Sequence, residues 1–362
     1  MRMGPLRMSA ASSTAAPVQF DMLGAASGLE PPAPNGWALL DERDRGTRFL
    51  SLPVRSALNT PASTGMGFWS INPYVGCEFG CTYCYARDTH RYVMERRGAD
   101  GAVPMPAWQA FEKRILVKSD LIEVLARTLD PARLAGHTLV IGTATDPYQP
   151  AERKFRITRQ ILELLLHYRG LSLGLITKSP LVTRDLALFQ RLGERHDVTV
   201  NISLATTDPG LARRLELRSP TPAVRLKALR RLTAGGVHAG LLVAPIVPGI
   251  TDSRESLSQL MAQAKEAGAR YVVGAALRLG PAARHRFLPV LAREFPHLAD
   301  RYERHYARRK GVTPAYQRAL SRRLHELQRL HGFPVDEGKK RKQQLEGREP
   351  RALPVIEQPF LI

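Results

Sequence analysis

Short apolar runs and longer amphipathic stretches follow one another in a regular order along the middle of the chain. The apolar runs predict strands at 68–72, 138–143, 171–177, 198–204, 241–247 and 271–277. Between them, apolar residues recur at spacings of three and four, which predicts helices at 119–129, 158–168, 183–192, 221–234 and 253–267. Because a helix separates each strand from the next, the strands cannot form hairpins, and we expect a parallel sheet.

These six strand–helix units favour an α/β fold, in the form of a partial (βα)6 TIM-like barrel. The strands are almost continuously apolar, which is typical of strands covered on both faces. Polar residues gather where the strands end, and in barrel-like α/β folds the chemistry lies at the carboxyl ends of the strands. With six units rather than eight, we expect the barrel to be open on one side and to admit a large substrate.

The regions that flank this core at 69–280 have a different pattern. Residues 1–36 are rich in Ala, Ser, Pro and Gly and are predicted to be a disordered lead, and 37–68 are predicted to be an irregular arm. Residues 281–335 are predicted to be a basic helical region, with helices at 283–310 and 314–331 that Pro296 and Gly311 interrupt. A basic tail is predicted over 336–362, with the run Lys-Lys-Arg-Lys at 339–342.

The charge of the chain adds a class of partner to this picture. Its 362 residues include 53 Lys and Arg against 33 Asp and Glu, a net charge of +20. This excess favours a polyanionic partner, nucleic acid first, although an Arg-rich composition set by a GC-rich genome is the alternative explanation. No apolar stretch reaches the roughly 18 residues of a membrane span, and the first residues do not have the pattern of a secretory signal.

All three cysteines lie on one loop directly after the first predicted strand, as Cys77, Cys81 and Cys84 with the spacing C-x3-C-x2-C. So few cysteines do not indicate a disulfide framework, and they favour a reducing, cytoplasmic compartment in which the thiols bind metal. Three thiolates can hold three corners of a cubane iron–sulfur cluster and leave the fourth iron open. The alternatives are a zinc site with His90 as a fourth ligand, and an electron-carrier site, which normally uses four cysteines.

The motif Asn-Pro-Tyr-x-Gly-Cys-x-x-x-Cys-x-Tyr-Cys-Tyr-Ala-Arg at 72–87 resembles the radical S-adenosylmethionine superfamily. Within it, the motif is similar to the branch of spore photoproduct lyase and its relatives, often labelled DNA repair photolyases. The resemblance implies that the three cysteines ligate a [4Fe–4S] cluster and that S-adenosylmethionine occupies the fourth iron. It also implies reductive cleavage to a 5′-deoxyadenosyl radical, which abstracts hydrogen from a substrate, and an external electron donor of the flavodoxin or ferredoxin type.

The resemblance also implies roles for residues at the other strand ends. Lys178, in Thr-Lys-Ser at 177–179, and Ser203 are similar to residues that hold S-adenosylmethionine in that branch. An ammonium group suits the methionyl carboxylate, and a hydroxyl suits a polar cofactor edge. Tyr83 is expected near the adenine, and Ala244, in Val-Ala-Pro-Ile-Val-Pro-Gly at 243–249, where its backbone reaches the adenine edge. The alternatives are a surface lysine and a serine bonded to the backbone.

Two carboxylates are further candidates. Glu216 is expected to bind the amino or ribose groups of the cofactor, and its alternative is an ion pair with Arg218. Asp146 is a candidate for contact with cofactor or substrate at a strand end, and its alternative is a turn formed by the Asp-Pro pair.

The chain departs from the branch at the step that returns hydrogen to the product. Spore photoproduct lyase uses a further cysteine after its second strand, whereas residues 141–148 contain none here, which argues against thymine-dimer reversal by that route. Tyr85 is the catalytic candidate, and Tyr85 or Tyr148 is a candidate redox relay, with a packed tyrosine as the alternative. Three functions stay open: radical chemistry on nucleic acid, the same chemistry on a small molecule or protein, and a non-catalytic iron–sulfur protein that binds nucleic acid.

Overall fold

A six-stranded sheet forms the centre of the computed structural model, which describes residues 38–44, 46–91, 93, 105–335 and 349–353. Two smaller sheets lie beside it. In chain order the strands are β1 (Leu39–Glu42), β2 (Arg48–Ser51), β3 (Trp69–Ile71), β4 (Tyr74–Val75), β5 (Arg114–Val117), β6 (Thr138–Ile141), β7 (Tyr168–Arg169), β8 (Ser172–Thr177), β9 (Asp197–Ser203), β10 (Ala239–Ile246), β11 (Val272–Ala276) and β12 (Arg351–Ala352).

The order of the central sheet is β3-β6-β8-β9-β10-β11, and every neighbouring pair is parallel. Ile141 of β6 pairs with Ile71 of β3 on one side and with Leu175 of β8 on the other. The prediction of a parallel α/β sheet is confirmed, and the strands lie side by side in the order in which the chain forms them. Their carboxyl ends therefore share one edge of the sheet, where the loop after β3 begins.

Helices fill most of the connections between these strands. Their bounds are Pro61–Thr64, Ala86–Thr89, Ala107–Lys113, Leu121–Thr128, Glu152–Phe155, Ile157–Leu165, Leu186–Gly193, Pro209–Leu215, Pro222–Ala234, Arg254–Glu266, Pro281–Glu294, Pro296–Arg308 and Pro314–Leu330, with 3-10 turns at Pro131–Leu134 and Pro180–Asp185. None of the helices in the described ranges is long and apolar enough to cross a membrane.

The arm before the core differs from its predicted irregular form. Strands β1 and β2 join β5 and β4 in a four-stranded sheet of order β1-β2-β5-β4. Phe49 of β2 pairs in parallel with Ile115 of β5, a partner far away in the sequence. Each of these strands has only two to four residues, and β1 is mostly exposed, so no local period reveals them.

The predicted break at Pro296 is confirmed, because separate helices end and begin there, at Pro281–Glu294 and Pro296–Arg308. Both helices share an apolar cluster with the cysteine loop. The helices contribute Phe287, Leu291, Tyr302 and Tyr306, and the loop and the strand before it contribute Val75, Cys77, Phe79, Cys81 and Tyr83. Helices Pro281–Glu294 and Pro296–Arg308 therefore form one wall around the cysteines. The predicted disordered lead and the basic run at 339–342 lie outside the described residues.

Candidate active site at the cysteine loop

The cysteine loop leaves the carboxyl end of β3 and is tied at once to the end of the neighbouring strand β6. The side-chain oxygen of Asn72 accepts a hydrogen bond from the Ala144 N–H at 2.7 Å. Gly76 has a φ of 89°, a conformation that favours glycine, and its carbonyl accepts from the Thr145 hydroxyl at 2.6 Å. Gln149 completes this side, because its side-chain oxygen accepts from the Glu78 N–H at 3.0 Å.

The other side of the loop is tied to the segment that follows helix Pro209–Leu215. Both the backbone N–H and the hydroxyl of Thr82 donate to the Leu215 carbonyl at 2.9 Å. The Arg218 N–H donates to the Phe79 carbonyl at 3.0 Å, and Cys81 forms an isolated antiparallel bridge with Glu216. This helix is absent from the sequence-based prediction, although Asp208 and Pro209 have the N-cap and N1 pattern that would have indicated it.

A carboxylate behind the loop gathers three arginines from three parts of the chain. Glu112 accepts from Arg87 and Arg218 at 2.6 Å each and from Arg286 at 3.1 Å. Glu112 and Arg87 are 5% and 1% exposed. Burial alone would raise the pKa of Glu112, but the guanidinium groups, that of Arg87 above all, hold it below its ordinary value. We call Glu112, Arg87, Arg218 and Arg286 the Glu112 cluster. The sequence did not predict this cluster.

The Glu112 cluster also bonds the backbone of the cysteine loop. Arg87 donates to the Cys81 carbonyl at 2.9 Å, and Arg218 donates to the Glu78 carbonyl at 2.6 Å. Since both guanidinium groups are held by Glu112, the cluster fixes the loop from behind without using a thiol.

A second contact joins the motif to the C-terminal helices. The carboxylate of Asp88 accepts from the N–H groups of Ala282 and Ala283 at 2.8 and 3.3 Å, at the first turn of helix Pro281–Glu294. A carboxylate at this position satisfies free N–H groups and interacts favourably with the helix dipole. Asp88 and Arg286 therefore dock the same helix onto the elements that follow the cysteines.

The three thiols are free and lie in apolar surroundings, with Cys77 and Cys81 each 8% exposed. Burial raises the pKa of all three, and that of Cys81 reaches about 11 even though the Lys178 charge acts in the opposite direction. In the described ranges no three His, Cys, Asp or Glu side chains converge on a point that could hold a single metal ion. A cubane cluster binds each cysteine through a different iron, so its thiolates need not converge.

His90 does not behave as a fourth metal ligand. Its Nδ1 accepts a hydrogen bond from the Gly76 N–H at 3.3 Å, and its ring packs against Phe111 at a centroid distance of 5.8 Å. Burial lowers the pKa of His90 to about 3, so the ring is neutral and holds the start of the loop. The zinc alternative finds no support in this arrangement, because His90 serves the backbone of the loop.

Lys178 and Ser203 lie at adjacent strand ends and contact each other. Lys178 Nζ donates to Ser203 Oγ at 3.1 Å and lies 5.9 Å from the centre of the Tyr83 ring. Burial alone would lower the pKa of Lys178, but Cys81 and Glu216 raise it above its ordinary value, so the side chain stays charged. The structure thus brings the predicted lysine and serine together with Tyr83 on the inner side of the cysteine loop.

Ser203 also donates to the Ala244 carbonyl at 3.2 Å. Lys178, which follows β8, Ser203 of β9 and Ala244 of β10 therefore lie side by side across the sheet. The serine is therefore bonded to the backbone, as its alternative interpretation proposed, while its oxygen still accepts from Lys178.

Glu216 is buried and has partners on both oxygens. The Tyr83 hydroxyl donates to one oxygen and Arg225 to the other. The expected alternative, an ion pair between Glu216 and Arg218, is wrong, because Arg218 bonds Glu112 instead. Arg225 lies on helix Pro222–Ala234 and also donates to the Ser203 carbonyl at 3.0 Å, so it joins Glu216 to the strand end. Neither the Tyr83 contact nor Arg225 was foreseen.

The Asp146 carboxylate holds the end of β8. It accepts from the Lys178 N–H at 2.7 Å, the Thr177 hydroxyl at 2.6 Å and the Tyr148 N–H at 2.9 Å. Burial raises its pKa despite these donors. Asp146 therefore forms a turn, as its alternative interpretation proposed, and this turn also sets the direction of the Lys178 backbone.

The two candidate relay tyrosines have different surroundings. Tyr148 is buried, and its hydroxyl donates to Asp185 at 2.9 Å, which is the packed role. Tyr85 follows the last cysteine, is 38% exposed and donates to the Thr143 carbonyl. Of the two, only Tyr85 is thus open to the solvent at the carboxyl edge of the sheet.

Fold and site together define an α/β protein with a three-cysteine loop at the carboxyl edge of a parallel sheet. Residues 71–261 match the family model of the Radical SAM superfamily. The chain belongs to the radical S-adenosylmethionine superfamily, whose members are enzymes that bind an iron–sulfur cluster and S-adenosylmethionine.

One curated relative and two solved structures are similar to the chain over most of its length. An uncharacterized protein of Mycobacterium tuberculosis strain H37Rv is 35% identical over 284 residues, which cover 78% of this chain and 80% of that protein. A spore photoproduct lyase mutant matches with a TM-score of 0.57 and 15% identity, over 78% of this chain and 79% of that one. Another, with bound AdoMet and dinucleoside spore photoproduct, has a TM-score of 0.51 and 14% identity over 73% and 74%. At these identities the likeness concerns the fold.

Proposed function

We propose that this chain is a radical S-adenosylmethionine enzyme that holds a [4Fe–4S] cluster on Cys77, Cys81 and Cys84 and acts on nucleic acid. The observation that carries the proposal is the position of the charged Lys178, hydrogen-bonded to Ser203, beside the cysteine loop. This arrangement offers three thiols and a cation suited to the cofactor at one edge of the sheet. The sequential order of six parallel strands supports a partial barrel around them.

The residues at this edge fit the two groups chemically. Cys81 and Cys84 each have a cation nearby, Lys178 and Arg87 respectively, which opposes the effect of burial and favours the thiolate that iron requires. Bound together, the cluster and S-adenosylmethionine would supply reductive cleavage of a carbon–sulfur bond and a carbon radical that takes hydrogen from the substrate. An external electron donor of the flavodoxin or ferredoxin type belongs to this proposal.

The chain's own residues would bind and orient the cofactor and would exclude water from it. The Lys178 ammonium would pair with the methionyl carboxylate, and Ser203 and the backbone of Ala244 would face the polar edges of the cofactor. Glu216 already has two protein donors, so its proposed contact with the amino or ribose groups would share an oxygen with Tyr83 or Arg225. The apolar residues around Tyr83 would limit the access of water to the bound cofactor.

Tyr85 is proposed as the residue that meets the substrate. It is exposed at the same edge as the cysteines and adjoins Cys84, whereas Tyr148 is buried against Asp185. As a candidate relay, Tyr85 would give a hydrogen atom to the product radical, in the role of the cysteine that residues 141–148 lack. The tyrosyl radical left on Tyr85 would then take up one electron from the external donor and one proton.

Nucleic acid is the proposed substrate for two reasons. The net charge of +20 suits a polyanion, and a solved structure with the same fold contains a dinucleoside spore photoproduct. A DNA-repair-like reaction is therefore proposed.

Anaerobic reconstitution tests the enzyme. We expect about four irons per chain, the content of one [4Fe–4S] cluster, and 5′-deoxyadenosine on addition of dithionite and S-adenosylmethionine. We expect Cys81→Ala to abolish 5′-deoxyadenosine formation. Ser70→Ala, a small buried change in β3, serves as the control. Full 5′-deoxyadenosine formation by Cys81→Ala would refute the cluster assignment, and a cluster without cleavage would identify a binding protein.

A further inference from the structure

The surface beside Tyr85 carries cations from two separate segments. Arg278 follows β11 at the carboxyl edge of the sheet, two residues before Gly280. Gly280 lies against the side chain of Asp88, in the short helix Ala86–Thr89 that begins directly after Tyr85. The Leu279 N–H donates to the Lys310 carbonyl at 2.8 Å, which holds Lys310 and the preceding Arg309 next to Arg278. The side chains of Arg278, Arg309 and Lys310 are all exposed. Three cations from two segments therefore lie together at this edge of the sheet, close to the short helix that follows Tyr85.

The helix that leads to these cations is basic on its outer face. Helix Pro296–Arg308 buries Tyr302 and Tyr306 against the cysteine-loop cluster and leaves Arg301, Arg304 and Arg308 exposed. Spacings of three and four residues place these arginines in one row. Seven residues of helix span about 10 Å, which is about three nucleotide steps at about 3.4 Å each.

Within the described residues, no ion pair neutralises these six cations. The same helix carries Asp300 and Glu303, yet neither lies within ion-pair distance of the row. Asp88 lies beside Gly280, two residues after Arg278, but its carboxylate is bonded to the first turn of helix Pro281–Glu294. The positive charge of this surface is therefore available to an outside partner.

We propose that this surface binds the phosphate backbone of a nucleic-acid strand and leads it to Tyr85. We call it the basic rim; its residues are Arg278, Arg301, Arg304, Arg308, Arg309 and Lys310. The proposal rests on the proposed function and adds the path by which the substrate reaches the site. Phosphate contacts of this kind fix position and register without reading the base sequence. The strand would pass over the C-terminal helices, which also form a wall of the cysteine site.

Salt-dependent binding of nucleic acid tests the rim. The variant carries Arg278→Gln, Arg309→Gln and Lys310→Gln together. The matched control carries Arg191→Gln, Arg230→Gln and Arg270→Gln, three exposed cations toward the amino ends of the strands, and loses the same charge. Binding of fluorescein-labelled oligothymidine and of a labelled duplex is measured by anisotropy between about 50 and 200 mM salt. Thermal melting confirms that both variants are folded.

For the rim variant, we expect the slope of log K against log salt to become shallower by about 2–3, because each phosphate that the protein no longer neutralises removes about 0.7–0.9 from the slope. The control should keep the wild-type slope within about 0.5, less than the effect of one phosphate. If the wild type binds but both triple variants change equally, the rim is refuted while the proposed function stands. A wild type without salt-dependent binding refutes the nucleic-acid substrate as well. Equally tight, rim-dependent binding of polyglutamate would assign the surface to an acidic polypeptide and overturn the proposal.

Discussion

Replacing Glu112 by Gln should destabilise the cysteine loop far more than the loss of one surface charge would. Glu112 is 5% exposed, and it neutralises Arg87, which is 1% exposed. In the variant, the buried guanidinium of Arg87 keeps its charge but loses its counter-ion. Arg218 and Arg286 are less buried and can turn part of their charge toward water.

The magnitude follows from this difference in burial. Removing one partner of a buried ion pair costs about 3–5 kcal/mol, because the remaining charge is left uncompensated. A glutamine oxygen can still accept one hydrogen bond at 2.6–3.1 Å, so we expect the lower end of that range, about 3 kcal/mol. At roughly 2 °C per kcal/mol for a chain of this size, the melting temperature should fall by about 6 °C.

The assay is thermal unfolding of the protein before and after anaerobic reconstitution, together with the iron bound per chain. Glu326→Gln is the matched control, because Glu326 forms an exposed ion pair with Arg254 at 2.9 Å, and such pairs contribute about 0–1 kcal/mol. We expect lower iron retention in Glu112→Gln alone. If both variants melt within about 2 °C of each other, the Glu112 cluster does not hold the loop as argued.

Three further results are expected. Lys178→Gln should raise the Kd for S-adenosylmethionine by roughly 10- to 150-fold in calorimetry, because hydrogen bonds to charged groups contribute about 1.5–3 kcal/mol. The control Lys227→Gln, at an exposed lysine, should leave this Kd unchanged. Gly76→Ala should cost about 3 kcal/mol or more in urea unfolding, since its φ is 89° and the added carbon would lie 2.9 Å from two backbone oxygens. Gly136→Ala, also at positive φ but in open space, should cost only about 1–2 kcal/mol, and equal losses would contradict the steric argument. Burial lowers the pKa of His196 from 6.5 to about 4, so its contribution to stability is complete above pH 6.5 and is lost as the pH falls toward 4. That contribution is about 3 kcal/mol. His196→Gln should therefore flatten the pH dependence of urea unfolding between pH 4 and 6.5, and an unchanged pH dependence would refute its assignment to His196.

The parts of the fold that could be predicted from the sequence depend on local periodicity. The strands of the central sheet are short apolar runs, and the row from Lys178 to Ser203 follows from the rule that parallel strands end at one edge. The arm could not be predicted in this way, because β2 pairs with β5 across a long stretch of chain.

The same limit applies within the site. Glu112 meets Arg87, Arg218 and Arg286, which lie 25, 106 and 174 residues away in the sequence. A single glutamate in a seven-residue helix gives no sign of three such partners. For Glu216, proximity in the sequence is misleading. Arg218 is only two residues away, but the hydrogen-bond partner is Arg225, in the helix Pro222–Ala234.

The cap that Asp88 provides has a consequence for how such proteins can diverge. Asp88 lies four positions after the last cysteine, and it holds the first turn of helix Pro281–Glu294, beyond the residues that match the superfamily. An exchange of helix Pro281–Glu294 between relatives would remove the N–H partners of Asp88 and one of the three arginines of Glu112, Arg286. Point substitutions on the exposed outer face of this helix would leave both contacts intact, so that face can change without disturbing the cysteine loop.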